Sequence, residues 1–353
     1  MTIGIDARMF GAGQTGIGVY IENLIVNLIK IGKEFDFVVF ANENNPELAR
    51  LEKLLKAEKN FKIVLVNSHW YSWKEQLIFP FQIARQKIDL VHFPHFNIPI
   101  LYRGKFIATI HDLTPKYFPG HKAGKSFLRR LAFDFVFKNA LRRSEKIIAV
   151  SEYTKREILK FYEVSPDKIY VVHEGNPFQE RNLKISEQAA AELKLKYGIS
   201  KPFIFYTGVW RNHKNLVGLI RAFKILTERS KFDLSLVIGG KEDSCYPEVR
   251  KSWEELELSD KIILPGFISE KELPIFYKTA SLTAVPSFLE GFGFIGLEAM
   301  SCGTPVAASA AGSLPEIFGK AAIYFDPKNP EDMAAAMAKI LGDSAFRGSL
   351  VKN

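Results

Sequence analysis

The chain has 353 residues, enough for two domains at about 150 residues each. Its 47% hydrophobic and 25% charged residues make a globular balance with sizeable cores, and its two cysteines exclude a disulfide framework. A net charge of +9 and a pI of about 9.2 favour anionic partners (nucleotides, phosphorylated substrates, nucleic acid, an acidic membrane surface) without choosing among them.

The opening "MTIGIDARMF" has no basic leader followed by a long apolar segment, so no signal peptide is expected. No apolar run reaches the ~18–20 residues of a membrane span. Cys245 and Cys302 show no CxxC spacing. A reduced, cytoplasmic setting is expected, peripheral at most at the inner face of a membrane. Ile3 to Ile5 start a strand, and Ile17, Tyr20, Ile21, Leu24, Ile25, Leu28 and Ile29 follow at helical spacing. "FDFVVF" (35–40), "FKIVLV" (61–66), "DLVHF" (89–93), "KFIATI" (105–110), "KIIAV" (146–150) and "KIYVV" (168–172) read as buried strands, mostly separated by helical segments. Strand and helix in alternation predict a parallel sheet covered on both faces. A polar, irregular stretch (173–188) interrupts the pattern, which restarts at "PFIFYTG" (202–208). It continues through "LSLVIGG" (234–240), "KIILPGF" (261–267), "SLTAVPS" (281–287), "TPVAAS" (304–309) and "AAIYF" (321–325). Two α/β domains are expected, residues 1–175 and 201–353, with 176–200 as linker and a cleft between them.

Five stretches invite a functional reading. Gly11, Gly13 and Gly16 in "GAGQTGIG" satisfy G-x-G-x-x-G. The dinucleotide fingerprint, however, wants its first glycine directly after the strand and an acid ending the next one. "DARMF" intervenes, and Asp36 begins its strand, so the expectation is a loop capping a helix whose amides can meet phosphate. "GHKAGKS" (120–126) is one residue too short for a triphosphate loop. Residues 122–146 carry eight basic and two acidic side chains among phenylalanines. The apolar positions spread round the helix, which favours core packing with a solvated basic face over docking on anionic headgroups. In "YTGVWRNHKNL" (206–216), Gly208 ends a strand, and Arg211 and Lys214 sit before a helix, where two cations suit a diphosphate. The alternative is an ordinary basic loop. In "EGFGFIGLEAM" (290–300), Gly291, Phe292, Gly293 and Phe294 lead from Glu290 into a helix carrying Glu298. Glycines let amides approach a ligand, and a carboxylate can accept from two vicinal hydroxyls. The bland reading has Glu298 as a helix cap and Glu290 as a surface residue.

"PSFLEGFGFIGLEAMSCGTPVAAS" resembles the E-x7-E segment of retaining family 4 glycosyltransferases of GT-B fold, nearest the mannosyltransferase-like branch. "TGIGVYIENL", "HFPHFNIPI", "TIHDLTPKYFP", "VSEYTKREILKFYEV", "YTGVWRNHKNLVGLIRAF" and "GSLPEIFGKAAIYFDP" are similar to further segments of that family. The resemblance implies two Rossmann-like domains with parallel sheets facing a central cleft, the first for acceptor and the second for nucleotide sugar. It gives Glu298 the ribose hydroxyls, Glu290 the donor sugar, and the backbone of residues 291–294, with Gly208, the sugar and phosphate. Arg211 and Lys214 would grip the diphosphate. Gly16 would approach the donor from the first domain, and His111 would lie near the reacting sugar. His92, His95 and Asn97 are acceptor-side candidates.

The implied reaction moves a hexose, mannose from GDP-mannose in this branch, to a hydroxyl of a glycan or lipid-linked acceptor with retention. No Asp-x-Asp pair occurs, so no metal or other cofactor is expected, and no nucleic acid partner. Two carboxylates alone would also suit a glycoside hydrolase, but a neutral glycoside has no diphosphate for the adjacent cations. A catalytically silent sugar-nucleotide binder and an NAD-dependent oxidoreductase remain as alternatives. "VHEGNP" departs from the family's frequent Asn-Gly pair. The chain ends at "FRGSLVKN", where many relatives continue into a helix that crosses back to the first domain, so a truncated or short form is expected.

Overall fold

The computed structural model describes residues 1–11, 13, 15–119, 127–176, 178, 185–230 and 232–353. "GHKAGKS" and the start of the basic segment lie outside them. The chain divides into Met1–Gly175 and Asn176–Asn353.

The first unit holds a seven-stranded sheet in the order β3-β2-β1-β4-β5-β6-β7. Its strands are β1 (Thr2–Asp6), β2 (Asp36–Asn42), β3 (Phe61–Val66), β4 (Leu90–Phe93), β5 (Phe106–Ile110), β6 (Lys146–Ala149) and β7 (Ile169–Val171). The second unit holds a six-stranded sheet in the order β10-β9-β8-β11-β12-β13. Its strands are β8 (Phe203–Thr207), β9 (Ser235–Gly239), β10 (Ile262–Gly266), β11 (Leu282–Val285), β12 (Val306–Ser309) and β13 (Ala322–Phe325). Neighbours pair in parallel in both sheets. Each apolar run read as a strand forms one.

The period of two explains the layering. In β8, Ile204 and Tyr206 join the core on one face, while Phe203 and Phe205 join the core on the other. The central strands bury both faces, so their runs are continuously apolar rather than alternating, while the edge strands β3 and β7 expose Leu65 and Tyr170. Each such large side chain contributes about 1.5–3 kcal/mol by leaving water.

The winding reverses once in each sheet, between β1 and β4 and between β8 and β11. In an open α/β sheet the crevice beyond the strand ends at that reversal is where ligands bind. The loops after β8 and β11 carry Arg211, Lys214 and Glu290, and those after β1 and β4 carry Arg8, His95 and Asn97.

The expected linker 176–200 is divided differently. The helix Glu187–Lys196 is capped by the Ser186 side chain, which accepts from the Ala189 amide. Leu193, Ile199 and Phe178 are buried in the second unit's core. The polar composition masked three apolar anchors, so this stretch belongs to the second unit. In the first unit, β2 begins at Asp36 and ends at Asn42, so Asp36 stands at the start of its strand and not at the end where a dinucleotide ribose would need an acid. No helix among the described residues is long and apolar enough to cross a membrane.

Candidate functional site

In the second unit, β8 runs into Gly208, exposed Arg211 and a short 3-10 turn, Asn212–Lys214. Asn215 then adopts a left-handed conformation (φ 54°) and opens the helix Leu216–Arg229. Its side-chain amide donates to the Pro286 carbonyl at 3.0 Å and the Pro327 carbonyl at 2.7 Å. The Phe288 amide donates to the His213 carbonyl at 2.7 Å. These bonds tie the loop after β8 to the loop after β11, and Lys214 and Glu290 stand on that joint.

Lys214 Nζ donates to Glu290 Oε1 at 2.7 Å, and Ser287 Oγ donates to the same oxygen at 2.7 Å. Both members of the ion pair are about seven-eighths buried, at 14% and 13% exposure. Burial by itself pushes the Glu290 carboxyl up, but Lys214 and Ser287 pull it further down, so it is held below the usual carboxylate range. The Glu290 carbonyl accepts from the Ser313 amide at 3.2 Å and hydroxyl at 3.1 Å. Both ends of the residue are thus fixed. Lys214 uses one of its three donors on Glu290, and two remain.

Gly293 (φ 100°) precedes the helix Phe294–Ser301, which has no side-chain cap. A Cβ at Gly293 would lie 2.5 Å from Leu314 Cδ2, so both conformation and space require glycine. An uncapped helix start presents backbone donors and a partial positive charge. One turn along, Glu298 Oε2 accepts from the hydroxyl of buried Tyr277 at 2.7 Å. Phe292 is buried and meets Phe294 edge-on at 5.5 Å. The Arg211 side chain makes no hydrogen bond or ion pair among the described residues, although its charge reaches Tyr246, and its carbonyl accepts from the Lys214 amide at 2.9 Å. The Tyr206 hydroxyl is buried and unpartnered among the described residues. It lies 3.0 Å from where a Gly208 Cβ would stand, and burial together with the Glu290 charge keeps it protonated.

The first unit builds a different cluster at its own winding reversal. Arg8 donates through Nε and Nη2 to Asp6, through Nη2 to Glu75 Oε1 at 2.7 Å and through Nη1 to the Ser68 carbonyl. Glu75 Oε2 accepts from Asn97 Nδ2 at 2.6 Å and from the Tyr71 amide at 2.7 Å. Asp6, Arg8, Trp70, Glu75, His95 and Asn97 line a small cavity together with apolar Met9, Ile17 and Ile21. His95 Nδ1 accepts from the Asn97 amide at 3.2 Å, which puts the ring proton on Nε2. Burial, then the charges of His111 and Arg8, lower its pKa to about 3. Burial and His111 likewise lower His92 to about 4.

His111 is the opposite case. Its Nε2 donates to the Pro94 carbonyl at 2.8 Å and its Nδ1 to Glu174 Oε1 at 2.8 Å. A carbonyl can only accept, so Nε2 carries a proton, and a carboxylate facing Nδ1 favours a second. Burial would lower its pKa, but Glu174 and the Pro94 carbonyl outweigh that and raise it. Gly16 sits exposed in the first turn of the helix Thr15–Ile31. The second unit therefore brings together Glu290, Lys214, Ser287 and, through the joined loops, the uncapped helix that bears Glu298. His111, His92, His95 and Asn97 belong to the first unit.

The family model described as glycosyl transferases group 1 matches residues 166–353, more than half of the chain. The chain belongs to that family. A second model, glycosyltransferase family 4, matches residues 14–177 of this glycosyltransferase. It is 25% identical to an uncharacterized glycosyltransferase of Methanocaldococcus jannaschii, over 96% of this chain and 88% of that one. It is 29% identical to the O-antigen chain mannosyltransferase RfbU of Salmonella typhimurium, over 77% of this chain and 70% of that one. Its GT-B fold superposes on Anabaena HepE in complex with UDP and glucose with a TM-score of 0.77, at 18% identity, over 100% of this chain and 93% of that one.

Four partners in this glycosyltransferase escaped sequence reasoning: Ser287 and Ser313 on Glu290, Tyr277 on Glu298, and Glu174 on His111. Ser287 stood in the quoted "PS" before the glutamate. Glu174 stood in the Glu-Gly that departs from the family's Asn-Gly. Tyr277 and Ser313 left no signal.

Proposed function

We propose that this glycosyltransferase transfers a hexose from a nucleoside diphosphate sugar to a hydroxyl of an uncharged saccharide acceptor, with retention of anomeric configuration. The observation that carries the reading is the second unit's joint. A lysine bonded to one glutamate, an uncapped helix start and an unpaired arginine stand on the two loops that flank the winding reversal. Arg211 and the two remaining Lys214 donors would meet the diphosphate, with helix amides beside them. Glu298, oriented by Tyr277, would accept from the ribose hydroxyls, and Glu290 from the hexose. The developing charge on the leaving diphosphate is the main electrostatic task, and one such contact is worth about 3–4 kcal/mol. A phosphate oxygen of the donor would help take the acceptor proton. The cations here are side chains, so turnover should survive chelation of divalent metals.

The acceptor side rests on the first unit's cavity. Asp6 and Glu75 confront one guanidinium whose donors are largely committed, which leaves no net positive charge to meet a phosphate. The His95 Nε2–H suits a hydroxyl oxygen. For the donor, relatives named as mannosyltransferases favour GDP-mannose, whereas HepE binds UDP, so a UDP-hexose is the competing choice. A thermal-shift panel of GDP, UDP, ADP and their sugars tests this. A ligand at 100 times its dissociation constant stabilises by about 2.7 kcal/mol, so the true donor nucleotide should raise the melting temperature clearly. No shift with any nucleotide would overturn the reading. The anomer of the product, read by NMR, tests retention.

A further inference from the structure

The stretch between Trp70 and Lys87 is turned outward in a way a core-packed segment would not be. In the helices Trp73–Leu77 and Phe79–Ala84, Glu75, Phe79, Pro80 and Ile83 are buried. The remaining large apolar side chains face water: Tyr71 at 64% exposure, Trp73 at 65%, Leu77 at 49%, Ile78 at 38% and Phe81 at 67%. Single exposed apolar residues are ordinary, but five within eleven residues are not. The charges of the segment point one way. Lys74, Arg85 and Lys87 lie between residues 70 and 87, and the sole acid there, Glu75, is fully buried against Arg8.

We propose that residues 71–81 dock the first unit on an anionic lipid bilayer. Trp and Tyr favour the headgroup level, where a ring meets apolar and wet surroundings together, and basic residues beside them meet anionic lipid. A protein-binding patch would also favour aromatics, but its core would be poor in lysine. The surface is held stiffly: the Tyr71 amide donates to Glu75, the carboxylate that pairs with Arg8. Trp70, the residue before the patch, lines the first unit's cavity. Docking would therefore put that cavity beside the membrane. The basic helix Phe127–Arg143 also exposes Leu131 and Phe135, fewer large apolar side chains, among the described residues, than the five of residues 71–81.

The test is flotation of the whole chain with phosphatidylcholine vesicles, with and without phosphatidylglycerol. The chain should float with the anionic vesicles. A Trp73→Ser, Phe81→Ser double variant should lose about tenfold or more of its bound-to-free ratio, while Leu131→Ser, Phe135→Ser stays close to wild type. Quenching of wild-type tryptophan emission by brominated anionic lipid gives a readout that needs no substitution, and it should be pronounced. The proposal is overturned by absent flotation and quenching, by a double variant that floats like wild type, or by loss confined to the Leu131 and Phe135 variant. It is equally overturned by light scattering that shows a dimer which the Trp73 and Phe81 changes dissolve. None of these readouts involves donor or acceptor, so the glycosyltransferase reading and this one fail separately.

Discussion

The Lys214–Glu290 pair is the most consequential contact in the second unit, because removing either side does two things. In Lys214→Ala, a diphosphate loses a cation and Glu290 loses the partner that holds its carboxyl down. Breaking a buried pair from one side costs about 3–5 kcal/mol, so turnover should fall about 10²–10³-fold and stability should fall as well. The sign of the pH dependence follows. The Glu290 carboxyl is depressed in the folded state, so its contribution is present above the ordinary carboxylate range and lost as pH falls through the folded value. Urea melts between pH 3 and 7 should show that slope in wild type and less of it in Lys214→Ala. His111 runs the other way. Its raised pKa means that the Glu174 pair stabilises fully below about pH 6.5 and fades as pH rises through the folded value. Glu174→Gln should cost about 1.5–3 kcal/mol at pH 6 and flatten the melting temperature between pH 6 and 8. An unchanged profile would show His111 neutral. Tyr277→Phe removes one donor to Glu298 and should weaken nucleotide binding several-fold in calorimetry, with a smaller effect on the rate at saturation.

Among the elements, the helix Phe294–Ser301 depends on Gly293. Alanine there meets both the positive φ and Leu314, so Gly293→Ala should cost about 1–3 kcal/mol in urea unfolding and weaken nucleotide binding by misplacing the helix start. The strands were legible because a parallel sheet buries both faces and writes its strands as apolar runs. The helix Glu187–Lys196 was not legible, because Leu193 and Ile199 are few among charges. Side-chain partnerships were the least legible. Glu174 lies 63 residues from His111 and Tyr277 lies 21 from Glu298. Strand order brings them together, and local pattern does not encode strand order. The glycine at 293 in "EGFGFIGLEAM" could be read because its left-handed backbone is a local need, whereas the contact with Leu314 that also requires it is not.

For the molecule as a whole, net charge of +9 pointed to anionic partners without separating them. The proposed sites would give different anions different surfaces: Arg211 and Lys214 in the loop after β8 for a diphosphate, and Lys74, Arg85 and Lys87 among exposed aromatics of the first unit for lipid headgroups. The first unit's cavity, at Asp6, Arg8, Glu75 and His95, carries no net positive charge. The central claim is that Arg211, Lys214 and Glu298 together hold a nucleoside diphosphate. Calorimetric titration of GDP and UDP into wild type, Arg211→Ala and Glu298→Gln tests it most directly. The account predicts that one nucleotide binds wild type and binds each variant about tenfold or more weakly; equal affinity in all three proteins, or binding of neither nucleotide to wild type, would contradict it.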